Sequence, residues 1–180
     1  MKNAILCFLM VFCIKGLAFA QQEDNYRQDT TTLYQRAKGF SFDPIRSKWR
    51  QELKKEGELF VLTLYDKKDV IQERISFADK ELLERKGSYV RYSDGRVKEE
   101  GNYDKGYKVG TWKRYHANKH LSETANYLWD KLAGSRKMYY NDGKLALDEV
   151  YNRNGNLELG KYFDKQGNAV DFEYMMKLLF

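Results

Sequence analysis

A short pattern that occurs three times at nearly constant spacing restricts this chain to a structure built from stacked hairpins. Gly87-Ser88-Tyr89-Val90-Arg91-Tyr92 recurs as Gly110-Thr111-Trp112-Lys113-Arg114-Tyr115. One further step along, it recurs more loosely as Gly134-Ser135-Arg136-Lys137-Met138-Tyr139. The second halves keep the same step, from Asn102-Tyr103 to Asn126-Tyr127 and on to Val150-Tyr151. Turn signals separate the halves at Asp94-Gly95, Ala117-Asn118 and Asp142-Gly143. Others follow at Asp104-Lys105-Gly106, Asn154-Gly155 and Gln166-Gly167. Asp-Gly and Asn-Gly pairs form hairpins readily because both central residues tolerate positive φ. Each repeat therefore reads as strand–turn–strand. A lone hairpin is marginal in water, so neighbours must extend a common sheet. The expected fold is mainly β: antiparallel hairpin repeats forming an extended or curled sheet, with one short N-terminal helix.

The rings of the repeat suit such a sheet. Cross-strand aromatic pairs contribute roughly 0.2–1 kcal/mol each, and their large area supplies apolar cover. In a regular strand Trp112 and Tyr115 point to opposite faces. Either both faces carry rings or a bulge intervenes, and the pattern leaves both open.

Upstream, residues 59–86 read as a degenerate β repeat, with Phe60 to Tyr65 and Val70 to Phe77 as strands. Residues 21–58 read as a polar leader and a short helix. Asp43-Pro44 can start that helix, Ile45, Trp49 and Leu53 lie four apart on one face, and Gly57 ends it. The 87–170 repeats are followed by an apolar segment, residues 171–180, expected to cap the last strand.

The arrangement Gly-x-Trp-x-x-Tyr, preceded by a glycine-and-tyrosine strand and a lysine–glycine turn, resembles the MORN repeat variant. It is particularly similar to YwqK-family antitoxin component proteins. The residues that carry the resemblance run from Gly101 to Tyr115, and it extends over residues 87–167. It implies an antiparallel sheet used in binding. The chain departs from the pattern in three places. Arg136 stands at an aromatic position, Asn118-Lys119-His120 replaces an Asn-Gly turn, and Leu128 to Ala133 replaces a charged return.

The first 20 residues have the form of a secretory signal. Lys2 precedes an apolar run from Ala4 to Ile14, and Ala18-Phe19-Ala20 offers a small-residue cleavage site before Gln21. The expected location is periplasmic or secreted after cleavage near Ala20. Both cysteines, Cys7 and Cys13, would leave with that segment, so the mature chain would have neither disulfides nor thiolate metal ligands. The formal charge of +6 falls to +4 once Lys2 and Lys15 are removed. It is spread among interleaved acids, as in Asp94 to Glu100, which argues against a nucleic-acid-binding face.

Catalytic constellations do not emerge. His116 and His120 have only Glu123 as a nearby carboxylate and read as surface histidines. No serine has a Gly-x-Ser-x-Gly setting, and the acid pairs Glu99-Glu100 and Asp148-Glu149 split across the two faces of a strand. The expectation is a non-enzymatic protein without metal or cofactor that binds a protein or cell-envelope component. Neutralisation of a toxin by binding is the alternative, and membrane-surface contact is a weaker option. The candidate binding residues are the rings of the ladder: Tyr89, Tyr92, Tyr103, Trp112, Tyr115, Tyr127, Trp129, Tyr139, Tyr140 and Tyr151.

Overall fold

A computed structural model describes residues 49–179. The signal segment, the polar leader, the first part of the expected helix and Phe180 lie outside the described residues. Strands follow one another as β1 (Arg50–Glu56), β2 (Leu59–Tyr65), β3 (Ile71–Phe77), β4 (Arg85–Ser93), β5 (Arg96–Asp104) and β6 (Tyr107–Tyr115). They continue as β7 (Leu121–Leu128), β8 (Lys131–Tyr139), β9 (Leu145–Tyr151), β10 (Leu157–Phe163) and the two-residue β11 (Ala169–Val170). A helix, α1 (Phe172–Leu179), ends the described chain. The strands form one 11-stranded sheet in sequence order, every neighbouring pair antiparallel. This is the hairpin-repeat sheet that the sequence implies.

The repeat glycine has a backbone task. Between the pairs Ile75↔Tyr89 and Phe77↔Arg85, three residues of β4 oppose the single residue Ser76. The same excess occurs where β6 passes Gly101 and where β8 passes Asn126. Gly87, Gly110 and Gly134 lie within these bulges at φ of 88°, 66° and 90°, a region that L side chains resist. A second, one-residue bulge follows the turn at the far end of each hairpin. Arg114 pairs with Glu123 while Tyr115 pairs with Leu121, and β2–β3, β4–β5 and β8–β9 repeat the shift. Rings on both faces and a bulge therefore coexist at Trp112 and Tyr115.

Register assigns the faces. On the core face, Leu53 pairs with Leu62, Leu62 with Ile75 and Ile75 with Tyr89. These join Leu64, Phe77, Leu82, Tyr103 and Trp112 in one buried cluster. Gly101 belongs to it through what it lacks, since a Cβ there would overlap the Trp112 ring. A second cluster gathers Tyr140, Ala146, Leu147 and Met175, with Met138, Tyr162 and Val170 packed around it. Met175 comes from α1, whose start is capped by Asp171: the Tyr174 N–H donates to Asp171 Oδ1 at 2.7 Å. Apolar residues of the C-terminal segment thus lie on the β8–β10 end of the core face, in helical form.

The expected N-terminal helix is corrected over its described part. Residues 50–56 form β1, in which Gln51 and Leu53 are buried while Glu52 and Lys54 face the other way. The four-residue spacing of Trp49 and Leu53 misled, because a hairpin closed by Gly57 and paired with an apolar β2 overrides the helix propensity of Gln-Glu-Leu-Lys-Lys-Glu. Among the described residues the helix is α1, at the C-terminal end. Two outcomes check this packing. Gly101→Ala should lower unfolding free energy by roughly 1–3 kcal/mol through overpacking against Trp112, and Met175→Ala by about 2–5 kcal/mol through cavity formation. Both are read from urea denaturation curves.

Candidate functional site

Charge crosses the core face in a continuous ladder. Arg91 reaches Glu99 at 3.3 Å, and Glu99 also meets Lys108 at 3.4 Å and Arg114 at 3.2 Å. Arg114 extends to Glu123 at 2.8 Å, Glu123 to Arg136 at 2.7 Å, and Arg136 to Glu149 at 3.1 Å. The hydroxyls of Tyr151 and Tyr162 donate to Glu149 at 2.8 and 3.3 Å. The carboxylates Glu99, Glu123 and Glu149 are buried, which is tolerable only because each meets more than one donor.

This ladder explains the Arg136 departure. Tyr89, Trp112 and Arg136 stand two residues after their glycines, while Arg91, Arg114 and Met138 stand four after. In the third repeat the apolar and cationic positions have exchanged places on the same face. Arg136 still bridges two glutamates, and Met138 packs on the second core. The exchange keeps the charge connected and moves apolar surface toward α1.

Beside the ladder, Tyr89, Tyr103, Trp112 and Tyr127 pack ring against ring. Trp112 lies 5.1 Å from Tyr103 at 78° and 6.3 Å from Tyr127 at 77°. The Lys108 ammonium sits 3.8 Å from the Trp112 ring centre. Burial works against ionisation of Glu99, but Lys108, Arg114 and Arg91 together hold its carboxyl below the usual range. Burial lowers the Lys108 ammonium despite the pull of Glu99.

The opposite, outer face carries a different stripe. Tyr65 pairs with Ile71, Tyr92 with Val97, Tyr115 with Leu121 and Tyr139 with Leu145. All eight side chains are half-buried, a row of rings and aliphatics running across the strands. Tyr65 and Tyr115 are fixed by their hydroxyls, which donate to Glu52 at 3.2 Å and Glu100 at 2.6 Å. Burial and the Glu100 bond push the Tyr115 phenol up to about 12. A charged row lies alongside, with Lys113 at 3.8 Å from Glu100 and Lys137 at 3.2 Å from Asp148.

The ten candidate rings therefore divide. Tyr89, Tyr103, Trp112 and Tyr140 are core and cannot serve as an exposed grip, since packing on the sheet already consumes their area. Tyr127 and Tyr151 are half-buried on the core face, and Tyr92, Tyr115 and Tyr139 lie in the outer stripe. Trp129 is 45% exposed in the β7–β8 turn. Trp129 and Asp130 both have positive φ there, 54° and 67°, and Asp130 Oδ1 accepts from the Lys108 N–H at 2.6 Å. Sequence reasoning missed the aliphatic half of the stripe: Ile71, Val97, Leu121 and Leu145 each lie in the first two residues of the second strand of a hairpin, a periodicity that was available. It read Glu99 and Glu149 only as members of acid pairs and Glu123 only as a neighbour of the histidines, not as one ladder, although Glu99 and Glu123 stand two residues beyond Val97 and Leu121 and Glu149 four beyond Leu145.

The histidines fasten one turn to the next. His116 Nε2 lies 2.8 Å from Tyr139 O, and His120 Nδ1 lies 3.0 Å from Asn141 O. A carbonyl can only accept, so each of these nitrogens carries its proton. Among the described residues no group of three His, Cys, Asp or Glu could hold a metal ion, and no helix is long and apolar enough to cross a membrane.

Residues 108–128 and 132–153 match the MORN repeat variant. The two matched segments are the β6–β7 and β8–β9 hairpins, so the matched unit is a hairpin with its bulge glycine, Gly110 or Gly134, on the first strand. The β4–β5 hairpin, outside the match, shares the bulges and the Glu–Arg pairing. No curated protein matches the chain.

Because the folded Glu99 carboxyl is lowered, its stabilising contribution is complete above about pH 4.5 and is lost as pH falls through the folded value. Glu99→Gln should therefore lower unfolding free energy at pH 7 by roughly 3 kcal/mol. Denaturation curves at a series of pH values should show the deficit shrinking toward pH 3.

Proposed function

We propose that this chain is a non-enzymatic, exported interaction protein that binds a protein or cell-envelope component through the outer stripe of its sheet. The observation that carries this reading is the row of Tyr92, Tyr115 and Tyr139 on the outer face, with Val97, Leu121 and Leu145 completing it. The rings of the core face are consumed by packing, whereas these half-exposed ones form a continuous surface of the kind that supplies rigid contact area at low entropic cost. The match to a repeat family supports a scaffold role, since stacked repeats present extended surfaces. Export rests on the signal-like first 20 residues.

Two measurements test the proposal. Cell fractionation with N-terminal sequencing should find the protein in the periplasm or medium, beginning at Gln21; an unprocessed cytosolic chain would refute export. Affinity capture from envelope extract should recover a partner that a Tyr92→Ser/Tyr139→Ser variant loses while its circular dichroism is unchanged. Recovery of a toxic enzyme instead would favour neutralisation, and equal recovery by the variant would remove the stripe from consideration.

A further inference from the structure

Lys113, Lys137 and Lys161 recur at the step of the hairpin repeat, and each stands two positions before a ring: Tyr115, Tyr139 and Phe163. Register puts the three lysines in one row of the outer face, running Lys113–Thr124–Lys137–Asp148–Lys161. They occupy alternate strands and so recur about every 9.5 Å. None of the three rings belongs to either core cluster. The Lys113 side chain is 48% exposed with its carboxylate at 3.8 Å, Lys137 is 39% exposed and paired with Asp148 at 3.2 Å, and Lys161 is exposed with no ion pair among the described residues. Cations and rings thus stay in step over three repeats.

The geometry points to a linear anionic glycan, bearing one carboxylate per two sugars, lying across β6, β8 and β10. This rests on the outer stripe being the binding surface. Two strand spacings match the two-sugar repeat of an extended chain, so successive carboxylates meet successive lysines. The rings offer flat apolar platforms for the C–H faces of the sugars between. Thr124 and Asp148, which fill the gaps in the lysine row, can take hydroxyl hydrogen bonds from the uncharged sugar. Asp148, and Glu100 beside Lys113, would repel a polymer charged at every unit, such as a nucleic acid.

Hyaluronan is the probe, titrated calorimetrically into the full chain, with neutral dextran, polyglutamate and anionic phosphatidylglycerol vesicles as comparisons. Hyaluronan should bind, more tightly as its length grows to span three lysines, and more weakly as salt rises. The Lys113→Gln/Lys137→Gln/Lys161→Gln variant should weaken binding by about tenfold, with unchanged circular dichroism and melting. Tyr139→Ala should weaken it severalfold, a loss that charge alone does not produce. Absence of hyaluronan binding at millimolar concentration overturns the inference. So does equal binding of polyglutamate with Tyr139→Ala unaffected, or binding of vesicles in place of the glycan. If hyaluronan fails while the Tyr92→Ser/Tyr139→Ser variant still loses its envelope partner, the glycan is wrong and the stripe stands.

Discussion

Five guanidinium–carboxylate contacts, from Arg91 through Glu99, Arg114, Glu123 and Arg136 to Glu149, tie β4 to β9 on the core face. A sheet of sequential hairpins has only nearest-neighbour strand pairing to hold it together. It has two separate apolar clusters, one under β1–β6 and one under β8–β10 with α1. The ladder spans the ground between them. Buried charges of this kind contribute little net stability compared with apolar residues, but each carboxylate left without its partners would be costly. The ladder therefore ties each repeat to the next in one register.

The exchange of Arg136 and Met138 shows how far this constraint reaches. Losing the ring at the third repeat costs aromatic packing, yet the cation lost at the next inward position is supplied from the vacated one. The Glu123 and Glu149 carboxylates stay satisfied. Trp112 shows a related dependence on a small neighbour. It can lie flat in the core because Gly101 is across from it in β5 and Ala125 in β7. Turns are linked as well: Arg96 donates to Ala117 O, Asn118 to Asn141 O and Lys144 to Lys165 O, each reaching the next turn at that end.

Segregating core work to one face leaves the other free to vary. The outer face of β4–β10 mixes charged and apolar side chains, and its Tyr–aliphatic stripe and lysine row recur because the hairpin recurs. A functional surface built this way has a period set by the strands, whatever it binds. Histidines, the feature that most resembled a metal pair, have instead been drawn into turn-to-turn hydrogen bonds.

Glycine spacing, turn dipeptides and recurring rings were enough to read the hairpin order, the strand positions from residue 59 onward and the repeat unit, because these depend on local φ preferences and on period-two alternation. Tertiary structure decided the rest. Residues 50–56 became a strand, against their own helix propensity, because β2 offered an apolar partner. The rings divided into core and outer face because two bulges per repeat fix which way each side chain points. The glutamates at 99, 123 and 149 became a ladder only when register brought arginines from neighbouring strands beside them, a contact between distant sequence positions that no local pattern encodes.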